Sequence, residues 1–230
     1  MHYPDGLVLR VVALPVTILA VALLAGQASQ AGTQEYRYSI RGLSKSLRAE
    51  LTPRYWRAGC PVQLWNLRLL TVSHWAWDGK PTTGQLIVRH DVAEPLARVF
   101  RRLYQLHFPI RHMQLEDMYA SGGDSDQADV SGAFHCRQSV PSPCTGGTRS
   151  GHWSNHAYGY AVDLNPVENP YVGCGRVRDP RSRPFLDRTN LRKGMVTPAV
   201  VAAFRSIGWG WGGDWSHGTK DYMHFSVNGR

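Results

Sequence analysis

Two short stretches hold the residues whose types can do chemistry together. One runs from Ser154 to Asp163 and reads S-N-H-A-Y-G-Y-A-V-D; the other is Asp221-Tyr-Met-His224, followed by Phe225 and Ser226. Between them they offer two imidazoles and two carboxylates. A catalytic zinc site takes three protein ligands from His and Asp/Glu and leaves its fourth position to water. A further carboxylate then stands beside that water as general base. On this reading His156, Asp163 and His224 hold Zn2+ and Asp221 is the base.

The elements that would position these groups follow from parity. Side chains alternate faces along a strand, so His156 and Asp163, seven apart, cannot share one straight strand. Gly159 lies between them and allows a bend. His156 is therefore expected on an entering loop, with Asp163 on a strand Tyr160–Leu164. Asp221 and His224, three apart, separate in the same way. His224 and Ser226 would share one face of a last strand, Met223, Phe225 and Val227 would pack into the core, and Asp221 would sit in the preceding turn.

Other histidines compete for these roles. His152 and His156 stand at i, i+4, a chelating pair if helical, but Gly151, Ser154 and Asn155 are poor helix formers and the Glu of H-E-x-x-H is absent. His217, in Asp214-Trp-Ser-His217, is the stronger rival to His224. Lys220 beside Asp221 would favour the ionised carboxylate that a base needs.

The pattern S-x-H-x-x-G-x-A-x-D followed by D-x-x-H-F resembles the VanY-like zinc D-alanyl-D-alanine carboxypeptidases, within the wider fold that includes lysostaphin-type peptidases and the hedgehog N-domain. The similarity runs from about Trp56 to Ser226. It includes W-R-A-G-C-P at Trp56–Pro61, F-P-I at Phe108–Ile110, A-F-H-C-R at Ala133–Arg137, D-L-N-P at Asp163–Pro166 and G-W-G-W-G-G at Gly208–Gly213. It implies an α+β fold in which a small antiparallel sheet carries the zinc site and helices pack against it. It also implies that Arg137 steadies the oxyanion or holds a substrate carboxylate. His135 departs from the family pattern, which has Asn there. The aromatic and glycine run Trp209–Trp215 is expected to pack under the site.

The implied substrate is a peptidoglycan stem peptide cut at its terminal D-Ala-D-Ala bond. Two rivals remain. One is an endopeptidase of the same fold, cutting L-Ala-D-Glu or a cross-bridge. The other is a zinc-stabilised wall-binding domain without catalysis, which would have no need of Asp221.

The rest of the chain fits export. Residues 1–31 read as a secretory signal, with an apolar run Val11–Ala25 and small residues for cleavage after it. The run is short for a membrane span, which needs about 20 residues, so no span is expected in the mature form. The formal charge is +9, and loss of Arg10 and Asp5 with the signal leaves it unchanged. Such a protein favours anionic partners such as wall polymers; no nucleic-acid recognition motif is present, and a monomer is expected. Residues 32–55 read as an N-terminal linker, with Gly32–Pro53 a tether or leading helix, and 56–230 as the catalytic domain.

Cys60, Cys136, Cys144 and Cys174 contain no C-x-x-C pair, which favours two disulfides over a Cys-ligated zinc. Three pairings are open; the resemblance, which includes both G-C-P and F-H-C-R, implies Cys60–Cys136 and Cys144–Cys174, with Cys136–Cys144 as the local alternative.

Strands are expected at Leu67–Trp75 and Gln85–Arg89 around a turn at Asp78–Pro81. A helix should start at an Asp91 cap and bury Val92, Leu96, Val99, Leu103 and Leu106. Another should be capped by Thr197, with Pro198 first, Gly208 at its end and Val200, Phe204 and Ile207 buried. Ala120–Ser131 and Ser139–Ser150 read as loops suited to walling an active site.

Overall fold

The computed structural model describes residues 1–2, 35–121, 125–144 and 151–230. The chain divides into two units, Met1–Thr33 and Gln34–Arg230, and the architecture below is that of the second. Apart from its first two residues, the expected signal lies outside the described residues. Among the described residues no helix is long and apolar enough to cross a membrane.

Two nine-residue strands, the second as long as the first, pair to form the largest element of the fold. Strand β1 (Tyr38–Gly42) and helix α1 (Lys45–Leu51) come first, then β2 (Leu67–Trp75) and β3 (Pro81–Arg89), in an antiparallel sheet ordered β1-β2-β3. β2 has the expected limits. β3 starts four residues earlier than expected, because Thr82 and Thr83 pair with His74 and Ser73 while staying exposed. Such residues carry strand propensity but no buried alternation to reveal it.

Within residues 32–55 a leading helix forms, as one reading of that segment allows, and an unexpected strand precedes it. β1 pairs along its length with β2, from Tyr38↔Val72 to Gly42↔Arg68, and α1 buries Leu47 and Leu51. Ser44 caps α1 by accepting the Leu47 N–H at 3.1 Å. A mostly exposed edge strand reads as polar chain; long-range pairing makes it structure.

Helix α2 (Ala93–Gln105) packs on this sheet through Leu96, Val99, Phe100 and Leu103. Its cap is Val92 rather than Asp91, whose carboxylate instead accepts the Tyr160 hydroxyl at 2.6 Å. Pro95 falls in the first turn, where no intrahelical N–H is lost. Short helices α3 (Leu115–Ala120), α4 (Ser125–Ala128) and α5 (Asn155–Tyr158) precede β4 (Ala161–Asp163), β5 (Tyr171–Gly173) and β6 (Arg176–Val177). Helix α6 (Pro198–Arg205) follows, then β7 (Gly210–Trp211), β8 (Thr219–Asp221) and β9 (His224–Ser226).

Helix α6 forms as its end signals predict: Thr197 accepts the Val200 N–H at 3.3 Å, and Val200 and Phe204 are buried. Ile207 is only partly buried.

The fold is α+β, with small antiparallel sheets in place of one: β4-β9-β7 and β6-β5-β8 accompany the first. Phe225 stacks on Phe204 at 3.9 Å within the main core, which also takes in Val162, Leu164 and α2. Each such ring contributes about 1.5–3 kcal/mol on burial. Val227, expected in the core, is exposed, because β9 ends at Ser226 and Gly229 turns the chain. The disulfides are Cys60–Cys136 and Cys144–Cys174, the pairing that the resemblance implied, with Cα separations of 5.8 and 5.4 Å.

A polar cluster joins Arg111 to two buried carboxylates. Arg111 places Nε 2.6 Å from Asp129 Oδ2 and Nη2 2.5 Å from Glu168 Oε1, with its guanidinium over the Trp77 ring. One cation thus serves two buried carboxylates. Burial first, then the Glu168 charge, push Asp129 up to about 7, which the Val167 N–H and Arg111 only partly oppose. A carboxyl raised in the folded state adds stability while protonated. That contribution is present below its ordinary value and lost as pH rises through about 7. Asp129→Asn, neutral at every pH, should therefore show a smaller fall in Tm between pH 5 and pH 8 than the wild type. An equal or steeper fall would mean that Asp129 is ionised throughout.

Candidate metal centre

Helix α5 is a single turn with both ends defined by local chemistry. Ser154 Oγ accepts the His156 N–H at 3.3 Å, and Gly159 closes the turn at φ 74°. A Cβ at Gly159 would stand 2.7 Å from the Arg89 nitrogen, so the residue needs both the left-handed conformation and the missing side chain. His156 thus lies on a helix and not on the expected loop. Ser154 and Asn155, which argue against a helix as interior residues, are its cap and its first residue.

From Gly159 the chain enters β4, which pairs with β9 in the register Ala161↔Ser226, Val162↔Phe225, Asp163↔His224. Val162 and Phe225 face the core, which leaves Asp163 and His224 side by side on the opposite face. His156 Nε2 stands 3.1 Å from Asp163 Oδ2 and 3.2 Å from His224 Nδ1, and His224 Nδ1 is 3.0 Å from Asp163 Oδ1. Zinc bonds of about 2.0–2.1 Å to a tetrahedron of N and O atoms put those atoms about 3.3 Å apart, so the donor set fits such an ion. The Nδ1–H of His156 is directed at the Ala133 carbonyl, 2.5 Å away, which fixes the tautomer and leaves Nε2 as a ligand atom. Among the described residues these three form the group able to hold a metal. His217 is exposed and outside it, and so is His152.

The electrostatics bind the set together. Burial alone would raise Asp163, but the two imidazoles outweigh it and hold the carboxyl well below the usual range. Burial lowers His156. His224 rises despite burial, because Asp163 hydrogen-bonds it and supplies negative charge.

Asp221 closes the site from another sheet. It ends β8, rather than lying in a turn, and its Oδ1 is buried without a hydrogen-bond partner. Burial pushes it up to about 8, opposed by His224 and reinforced by Asp163. Positive charge at the three donors would favour its ionised form. Gly212 supports it from beneath: a Cβ there would meet the Asp221 carbonyl oxygen at 2.4 Å. The run Trp209–Trp215 does pack under the site, with Trp209 in the core and the Trp215 ring 5.8 Å from His224.

Arg137 borders the same cleft, of about 960 Å3, as His156, Asp163, Asp221 and His224. The irregular run Ala133–Arg137 is pinned by the Cys136 disulfide, by His135 N–H to the His156 carbonyl and by Ser154 N–H to the Arg137 carbonyl. Arg137's charge is felt at His135, His156 and Asp221. Burial and that charge push His135 down to about 4, so it is neutral near pH 7. The loops expected as walls contribute Ser121, Asp126, Ser139, Val140 and Pro143; residues 122–124 and 145–150 lie outside the described residues.

Sequence reasoning missed the opposite wall. Tyr171, Gly173, Arg176, Val177 and Arg178, on and beside the β5–β6 hairpin, also line the cleft. Strands of two or three residues leave no periodicity to read.

Residues 148–227 match the family model for D-alanyl-D-alanine carboxypeptidase. The matched segment holds all three donors and Asp221, while Arg137 lies upstream of it. Neither the curated proteins nor the solved structures gave a match. The family match and the donor cluster together support a peptidase with a candidate metal site.

Metal titration tests the donor assignment. After loading with Zn2+, the wild type should hold about one ion per chain. His156→Ala and His224→Ala should lose most of it, and His217→Ala and His152→Ala should retain it. An empty site in His217→Ala with a full one in His224→Ala would overturn the assignment.

Proposed function

We propose that this chain is an exported zinc-dependent D-alanyl-D-alanine carboxypeptidase that acts on peptidoglycan stem peptides. The observation that carries the reading is a division within one cleft. Three donor atoms converge, and a fourth group, Asp221, stands apart with a buried, unpartnered oxygen. A domain that used metal only for stability has no need of that last carboxylate.

In this reading His156 Nε2, Asp163 and His224 Nδ1 hold the ion. Bound Zn2+ supplies a Lewis acid that acidifies water and polarises the scissile carbonyl. Asp221 accepts a proton from the attacking water at Oδ1 and delivers it to the leaving amine. Arg137 stabilises negative charge that develops on the carbonyl oxygen, or holds the terminal carboxylate. The Ala133 carbonyl keeps His156 in the tautomer that ligation needs.

Export is supported by the two disulfides, which persist in oxidising compartments, and by the apolar run after Arg10. The formal charge of +9 suits an anionic wall.

Two variants separate base from ligand. Asp221→Asn should bind Zn2+ nearly normally yet lose about 10²–10⁴-fold in kcat on a D-Ala-D-Ala-terminated peptide, the worth of a positioned general base. Asp163→Asn should lose metal first and activity with it. Normal turnover in Asp221→Asn would refute the mechanism. Mass analysis of digested muropeptides reads the bond: loss of one terminal D-Ala is expected, and an internal cut would make the protein an endopeptidase.

A further inference from the structure

The wall that sequence reasoning missed has an ordered geometry. In the sheet β6-β5-β8, Arg176 pairs with Gly173, Gly173 with Thr219, and Tyr171 with Asp221. Directly paired residues in antiparallel strands share a face, as do residues two apart in one strand. Arg176, Gly173, Tyr171 and Asp221 therefore lie on one face, and all four border the cleft. Asp221, the proposed base, and Arg176 stand at opposite corners of that face.

The separation follows from sheet dimensions. Two strand spacings of about 4.8 Å and two residues of about 3.4 Å give about 12 Å between the Cα positions. A long arginine side chain that reaches along this face covers part of that span, so a carboxylate bound by it would stand about two to three extended residues from the reacting bond.

The wall is held before any substrate arrives. The Cys144–Cys174 disulfide ties the hairpin to the loop before it, and the Cys174 N–H donates to the Gly218 carbonyl at 2.8 Å. The Ser142 and Thr219 hydroxyls lie 2.6 Å apart. Pro143 fills the space that a side chain at Gly173 would take, since a Cβ there would be 2.6 Å from its ring. Arg176 itself is exposed and makes no ion pair or hydrogen bond among the described residues. Asp179, three residues on, is paired with Arg181, and Asp126 also borders the cleft. An unpaired arginine on a fixed cleft wall is suited to a carboxylate, which it can bind in bidentate fashion.

We infer that Arg176 is a specificity residue that binds a substrate carboxylate about two to three residues on the amino side of the scissile bond. This rests on the carboxypeptidase reading. A carboxypeptidase substrate has one residue beyond that bond, and Arg137, whose charge reaches His156 and Asp221, is the cation at that shorter range. Arg176 then receives the acidic part of the chain that remains after cleavage. The substrate class is a D-Ala-D-Ala-terminated peptide with an acidic residue upstream, not a neutral one.

The test compares N-acetylated peptides that end in D-Ala-D-Ala and carry Glu or Gln at the second or third residue before the scissile bond. With the zinc-loaded wild type, the better-placed Glu peptide should have a KM about 3–10-fold lower than its Gln partner, the range of a charge-assisted contact in a partly exposed site. Arg176→Gln should erase the difference by raising the KM of the Glu peptide, with kcat unchanged within about twofold, because the residue does not touch the reacting atoms. Arg176→Glu should reverse the preference toward a Lys peptide, and an unchanged Tm shows that the hairpin is intact. Equal KM values in the wild type, or a Glu preference that survives Arg176→Gln, would overturn the inference. If no peptide is cut, the carboxypeptidase reading fails by itself. The same comparison is then made by calorimetric titration of the peptides: a Glu preference in Kd that is lost in Arg176→Gln supports the subsite, and equal Kd values overturn it.

Discussion

A buried carboxylate held between two imidazoles is the constraint on which the rest of this structure depends. Asp163 directs one oxygen at each ring, at 3.1 and 3.0 Å, and is largely withdrawn from solvent at the floor of the cleft. Removing a charge from water costs several kcal/mol unless partners with good geometry offset it. Those partners come from opposite ends of the matched segment, so the backbone must deliver them within a few tenths of an ångström. The register of β4 on β9 does this for His224. The single turn of α5, capped by Ser154 and stopped by Gly159, does it for His156.

Register in a three-residue strand pair is weakly specified by its own hydrogen bonds. Here the reverse face supplies the specification. Val162 and Phe225 are fully buried against Phe204 and the helices, and a slip of one residue would turn them toward the cleft and the donors toward the core. The geometry of the candidate donors is thus enforced by apolar packing on the far side of the same two strands.

The cleft walls are held by different means. Strands of two or three residues cannot stabilise themselves, and each side of the cleft is fastened covalently. Cys136, next to Arg137, is tied to Cys60, and Cys174, in the β5–β6 turn, is tied to Cys144. Bridges over loops of this length typically contribute about 2–4 kcal/mol. The buried Arg111 cluster and the Asn165 and Asn169 amides, which donate to the Pro109, Leu164 and Gly194 carbonyls, anchor the chain between β4 and β5. Most of these buried polar groups find partners, Glu168 Oε2 excepted, which leaves the loop few alternatives.

Local rules determined a good part of this protein from its residues alone. β2 is legible because nine residues of strand-forming types stand between turn signals, and α6 because Thr197, Pro198 and Gly208 mark its ends. The candidate metal donors are legible because few side-chain types hold a metal ion, and parity tells which of them cannot share a strand. Tertiary structure decided what depends on partners distant in sequence. β1 is a strand because β2 offers it an edge, and Asp221 belongs to a second sheet because Tyr171 pairs with it. His224 rather than His217 joins the donors because it stands opposite Asp163 in the register. Arg176 becomes part of the cleft only when three very short strands align it with Asp221. Period and propensity are properties of neighbours along the chain, whereas these placements come from pairing and burial between segments tens of residues apart.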